Sequence, residues 1–289
     1  MSPFVCLMYH NVCRADQLGA DGPFAQLGPS IQSYAVTTEQ FSEQTSAIGR
    51  DRLLDPDALR KPVSAKPSRP QVLVTFDDGW AGTFEEAGPI LEAAGARAIV
   101  FVTSGLIGHP LFASEALLRE LPRDVFEIGS HTVTHPFLAE GTTKQIEKEL
   151  RDSRAELEDI VGRTVDTISI PNGSFDQRVL RIAEECGYSL VFTSEPHLNQ
   201  SPPDHRGIGR VAVRSTTTTD AILRWCDGDL GAAGWRRKAL DVPKQLLGPE
   251  RYRRLRAWAL GEKRNDDDMS DLVVSHQSAS RELVLSNGV

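Results

Sequence analysis

The chain has 289 residues, 40% of them hydrophobic and 25% charged, the composition of an ordinary globular protein rather than a disordered or fibrous one. Its 32 Lys+Arg against 40 Asp+Glu give a formal charge of -8, which suits no phosphate backbone, so no nucleic-acid partner is expected. The longest apolar runs, such as Ala98-Ile99-Val100-Phe101-Val102, are strand-sized, so no integral membrane span is expected.

In chain order, Val5 to Met8 reads as the first strand. No basic region precedes it and no small-residue cleavage site follows, which leads to the expectation of a cytoplasmic protein without a signal peptide. Residues 49–70 carry four prolines and many polar residues, the pattern of a long excursion, expected at one rim of a cleft. Val72 to Phe76 predicts a buried strand and Thr83 to Ala94 its helix, with Glu85 and Glu86 in the first turn and Gly95 as the stop. The unit recurs with Ala98 to Thr103 and Ser114 to Leu121, then Phe126 to Gly129 and Thr143 to Val161, which ends at Gly162. Thr167 to Ile170 and Phe175 to Cys186, closed by Gly187, form another pair, and Ser189 to Thr193 and Arg210 to Arg214 are two further strands. About seven strands separated by helices imply a largely parallel sheet or a closed barrel, in one catalytic domain.

Residues 235–264 hold ten Lys/Arg against three acids, a local net of +7 in a chain that is otherwise acidic. Interspersed Leu, Trp and Tyr make this stretch either a solvated helical face or a basic amphipathic element for an anionic membrane surface. Asn265-Asp266-Asp267-Asp268 then leads into a polar tail, expected to dock loosely. Cys6, Cys13, Cys186 and Cys226 match no zinc ribbon or disulfide framework and are expected as reduced, mostly buried thiols.

Thr75-Phe76-Asp77-Asp78-Gly79 ends an apolar strand with two adjacent carboxylates, where parallel α/β folds place ligands. Asp and Gly also make ordinary strand-ending turns, so this motif alone leaves both readings open. Ser130-His131-Thr132-Val133-Thr134-His135 also follows a strand. Its two imidazoles are either unrelated or, with one carboxylate, a three-ligand metal site with an open position.

These two motifs, followed by Ile170-Pro171-Asn172-Gly173-Ser174-Phe175-Asp176, resemble the three ordered motifs of polysaccharide deacetylases of the NodB-homology family (carbohydrate esterase family 4). The resemblance covers roughly residues 70–215 and implies a distorted (β/α) barrel of about seven strands. It further implies that Asp78, His131 and His135 bind a divalent metal, usually zinc, that Asp77 is the general base, and that backbone groups at Pro171, Asn172 and Gly173 hold the oxyanion. Many members place an arginine shortly before the proline turn to orient the base. Here Ser169 stands two residues before Pro171, and Arg210 is the substitute considered for that role or for substrate binding.

Tyr9-His10 at the end of the first strand is similar to the branch acting on poly-N-acetylglucosamine, which makes His10 the expected acid; His276, in a leucine-valine context, is the alternative. Trp80 is read either as a sugar-stacking residue or as core. His109, His197 and His205 are expected at the surface.

The expected organisation is a deacetylase-like barrel over 1–230, a basic helical segment over 231–264 and a tail over 265–289. The expected activity is zinc-dependent removal of N-acetyl groups from an N-acetylhexosamine-containing glycan or a lipid-linked saccharide, with peripheral contact at the inner membrane surface through 235–264. Deacylation of a non-polymeric amide such as a formylated amine, and a non-catalytic glycan-binding protein, are the alternatives weighed.

Overall fold

Phe4 and Cys6 leave the first strand on one face and Val5, Leu7 and Tyr9 on the other, and the same period of two divides the core of the sheet into an inner and an outer part. The computed structural model describes residues 2–19, 21–61, 67–201, 203, 207–231 and 269–286. Its strands are β1 (Ser2–Tyr9), β2 (Asn11–Cys13), β3 (Ala35–Thr37), β4 (Gln71–Phe76), β5 (Ala98–Val102), β6 (Phe126–Ser130), β7 (Thr167–Ser169), β8 (Leu190–Phe192), β9 (Asn199–Ser201) and β10 (Val211–Ala212). Its helices are α1 (Pro29–Gln32), α2 (Thr38–Ile48), α3 (Gly88–Ala94), α4 (Glu115–Glu120), α5 (Thr143–Val161), α6 (Gln177–Glu185), α7 (Thr219–Cys226) and α8 (Met269–Ser286).

Seven strands form one curled parallel sheet in the order β10-β1-β4-β5-β6-β7-β8, the expected architecture. β9 pairs antiparallel with the start of β1. The backbone of Ile208 pairs with Phe192 beyond β8, and three residues later Val211 pairs with Leu7 of β1. Residues 208–212 therefore join the two edges of the sheet.

The inner face carries Phe4, Cys6, Leu73, Ile99, Phe101 and Phe192. The outer face packs on the helices through residues such as Leu91, Leu118, Leu150, Leu157, Val179 and Ile222. Ser114 and Asp176 lie just outside α4 and α6 as their N-caps, accepting from the backbone N–H groups of Leu117 and Val179. The expected helix over 83–94 begins with a π-turn at Thr83–Ala87.

Two expectations are corrected. The described part of the proline-rich excursion, residues 49–61 and 67–70, does not form the rim of the mouth: Leu54 and Leu59 bury against Phe4 and Leu73, near the amino ends of β1 and β4, and so plug the opposite end of the sheet. The C-terminal stretch is a helix, α8, whose Met269, Leu272 and Val273 bury against Trp80, Leu106 and Phe112. The basic segment 235–264, the acidic break after it and His205 lie outside the described residues. Among the described residues no helix is long and apolar enough to cross a membrane. All four cysteines are free, three of them buried, as expected.

Candidate active site

Alternation along the strands carries polar residues up the inner face to the carboxyl end of the sheet. On β4 the inner series runs Leu73, Thr75, Asp77; on β6 it reaches His131; on β7 it reaches Ser169. Asp77, Asp78, His131 and His135 are all buried there. Asp78 Oδ1 faces the Nε2 atoms of His131 (3.5 Å) and His135 (3.7 Å), and one ligand atom from each of the three residues lies within 4.8 Å of the others.

His131 Nδ1 lies 2.8 Å from the carbonyl of Ser169, which can only accept, so Nδ1 carries the proton and Nε2 presents its lone pair to the centre. Trp80 Nε1 donates to Asp78 Oδ2 (3.0 Å), which occupies one carboxylate oxygen and leaves the other toward the imidazoles. Two imidazole nitrogens and one carboxylate oxygen are the donor set of a three-ligand catalytic metal site, so the residues fit the implied metal. Burial lowers the pKa of His131 to about 4, only partly opposed by the Asp77 charge, so its ring is neutral and able to ligate at pH 7.

Among the described residues, four other than glycine adopt left-handed backbone, Asp78 (φ 74), Thr132 (φ 67), His135 (φ 56) and Asn172 (φ 56). Each belongs to one of the three motifs. Such outliers concentrate where surrounding structure over-determines a strained geometry, as at active sites.

Asp77 is locked by Arg210. Nη1 donates to Oδ1 (2.6 Å) and Nη2 to Oδ2 (2.8 Å), while Nη2 also donates to Ser169 Oγ (2.6 Å), which in turn reaches Oδ2 (3.3 Å). Burial alone would raise the Asp77 carboxyl, but the guanidinium, with His131 and His10, holds it well below the usual carboxylate range. Arg210 is 1% exposed and spends its donors on Asp77, Ser169, Thr75 and the Thr193 carbonyl. It is a partner of Asp77 and has no free face for a substrate.

Trp80 is 2% exposed and packs on Phe112 at 4.2 Å, which rules out stacking on a sugar and makes it core with one hydrogen bond to Asp78. His10 stacks on Tyr34 (centroids 4.2 Å), its buried Nδ1 has no hydrogen-bond partner, and burial lowers its pKa to about 4, with Asp77 opposing. Arg214 covers the same tyrosine and donates to its hydroxyl (2.7 Å). His276 is elsewhere: Nε2 donates to the Ile107 carbonyl (3.2 Å), in a crevice it shares with Ser104, Glu149 and Gln277. His109 is half-buried against Phe112 and His276 rather than free at the surface, whereas His197 is exposed. Pro171–Gly173 forms a tight turn after β7 with Pro171 and Gly173 buried. Ser169, Tyr34, Arg214 and Glu149 were not singled out as site residues from the sequence; no short motif marks them.

Residues 64–191 match the family model described as polysaccharide deacetylase. Over those residues the chain is similar to polysaccharide deacetylases. The chain is 34% identical over 131 residues to YxkH of Bacillus subtilis (strain 168), covering 45% of this chain and 47% of that protein. A poly-beta-1,6-N-acetyl-D-glucosamine N-deacetylase of Staphylococcus aureus (strain MSSA476) is 23% identical over 239 residues, covering 76% and 82%. The chain spans about half the length of several curated relatives that it matches, 47% of one and 52% of another. In fold, the chain resembles Streptococcus pyogenes PplD, solved with acetate, at TM-score 0.64 and 22% identity over 78% of this chain and 98% of that one.

Proposed function

We propose that the protein is a metal-dependent deacetylase hydrolysing N-acetyl groups of an N-acetylhexosamine-containing glycan, with Asp78, His131 and His135 holding zinc, Asp77 as base and His10 as acid. The observation that carries this reading is the Asp78–His131–His135 donor set beside a carboxylate that Arg210 fixes in place. What a divalent ion supplies when bound there is Lewis acidity, polarising the acetyl carbonyl and making a water more acidic.

Asp77, ionised and held through both oxygens, takes the proton of the attacking water, whose oxygen bonds to the acetyl carbon. The backbone N–H of Asn172 is the donor that the turn at Pro171–Gly173 offers to the charge growing on the acetyl oxygen, since Pro171 has none and Gly173 donates to the Ile170 carbonyl. His10 passes a proton to the nitrogen as the C–N bond breaks, leaving acetate and a free amine. Its ring is neutral in the free protein. Negative charge building next to it raises its proton affinity, so the ring takes up a proton from solvent, and it is this proton that it hands to the departing nitrogen.

A relative named for poly-N-acetylglucosamine supports the substrate class, since it shares similarity over most of both chains. The basic stretch 235–264 supports a substrate presented at an anionic surface, such as a lipid-linked saccharide; retained binding of anionic vesicles after its deletion would exclude that role.

The test is acetate release from N-acetylglucosamine oligomers by zinc-loaded protein and by His10→Ala. Release that drops roughly 100-fold or more in the variant while metal stays bound is the expected result. Equal rates in the two proteins remove His10 from the chemistry.

A further inference from the structure

The turn that carries both imidazoles is costly backbone. Thr132 and His135 are left-handed without being glycine, a conformation that L side chains disfavour. Two bonds within the turn support it: Thr132 N–H donates to Ser130 Oγ (3.2 Å) and His135 N–H to Thr132 Oγ1 (3.1 Å). The remaining two N–H groups, those of Val133 and Thr134, both donate to Glu149 Oε2 at 2.9 Å, and the Thr134 hydroxyl donates to Oε1 at 2.7 Å.

Glu149 stands on α5, a rigid support whose Ile146, Leu150 and Leu157 are buried in the outer core. The same helix reaches the other end of the turn, where Ser153 Oγ and Ser130 Oγ lie 2.7 Å apart. One helix therefore grips the segment before His131 and the segment between the two histidines. A carboxylate suits this position because two converging amides and a hydroxyl all need acceptors.

We propose that Glu149 is a positioning residue for the metal ligands: through Val133 and Thr134 it sets the separation and aim of His131 and His135 before any ion arrives. This rests on the reading of Asp78, His131 and His135 as a metal site. Glu149 takes no part in ligation, because its two oxygens face the back of the turn.

Glutamine can reproduce all three bonds, its carbonyl accepting from both amides and its amide donating to Thr134 Oγ1, whereas alanine removes them. The experiment is a titration of the metal-stripped full chain with cobalt, reading the visible absorption spectrum and the dissociation constant. Glu149→Ala is expected to bind roughly 10–100-fold more weakly, with an altered spectrum, and Glu149→Gln to stay within about threefold of the parent. Should Glu149→Ala fail to fold, Thr134→Val, which deletes only the hydroxyl bond, is expected to weaken binding severalfold with a shifted spectrum. Parent-like affinity and spectrum in Glu149→Ala overturn the proposal, and so does a Glu149→Gln variant as weak as Glu149→Ala. Absence of cobalt binding by the parent chain itself overturns the metal site, and the proposal with it.

Discussion

Arg210 and Asp77 form a buried two-pronged ion pair, at 2.6 and 2.8 Å, between residues 133 positions apart in sequence. The pair exists because residues 208–212 cross from β8 to β1 and so lift Arg210 into the inner face of the sheet. There its guanidinium also lies 5.3 Å from the Phe101 ring centroid. Replacing one partner of such a pair leaves an uncompensated buried charge and costs about 3–5 kcal/mol.

Arg210→Met should therefore unfold at a lower temperature and also change the chemistry. Without the guanidinium, burial acts on Asp77 unopposed and its carboxyl rises. The acidic limb of the kcat/KM profile is then expected to move to higher pH. A variant with an unmoved limb would show that Asp77 is not the group whose protonation stops the reaction.

Trp80 bears on metal affinity through one bond, Nε1 to Asp78 Oδ2. Trp80→Phe keeps an aromatic ring beside Phe112 and loses that donor, so zinc affinity should fall roughly tenfold or more while stability drops modestly. Calorimetric titration with zinc measures this, and unchanged affinity would remove Trp80 from the site.

The metal-free protein should lose stability on mild acidification. An unfolded histidine protonates near pH 6.5, whereas burial delays protonation of both His10 and His131 to about 4. Between those values the unfolded chain binds up to two more protons, so stability falls as pH falls, by about 1.4 kcal/mol per pH unit for each ring. Above about 6.5 both contributions are complete, and below about 4 these rings add no further loss. Asp77, depressed in the fold, extends the decline to still lower pH. Chemical denaturation from pH 7.5 down to 4 checks the slope, which His10→Asn should halve (about one proton instead of two).

α8 acts as a brace on the metal turn. Ser270 Oγ donates to the His135 carbonyl (3.0 Å), and Val273 packs so closely that a Cβ on Gly105 would lie 2.9 Å from its Cγ1 and 2.5 Å from the Val133 carbonyl. Gly105→Ala must displace either the helix or the turn, so it should weaken metal binding as well as lower the melting temperature. Val273→Ala, which opens space instead, should cost about 1–2 kcal/mol with little change in affinity. Equal effects of the two substitutions on metal binding would argue against the brace.

The legible part of this site is local in sequence. Asp77 and Asp78 end one apolar strand, and His131 and His135 follow another, so strand pattern and spacing locate them together. The partners that hold them come from far along the chain: Arg210 from the joining segment, Ser169 from the end of β7, Glu149 from the middle of α5. Glu149 looks like any solvated helical acid in a helix rich in charge, and only the fold reveals which way it points. α8 was hidden for a related reason. Met269, Leu272 and Val273 are too few apolar positions to mark a helix until Trp80 and Phe112 supply the surface they cover.

The most direct test of the account is a zinc titration of the metal-stripped protein, following acetate release from N-acetylglucosamine oligomers, with Asp77→Asn in parallel. Activity is predicted to rise with zinc and saturate at about one equivalent, the number set by the single Asp78–His131–His135 donor group found among the described residues, while Asp77→Asn binds the same equivalent and stays inactive. Acetate release by the metal-stripped protein, or undiminished release by Asp77→Asn, would contradict it.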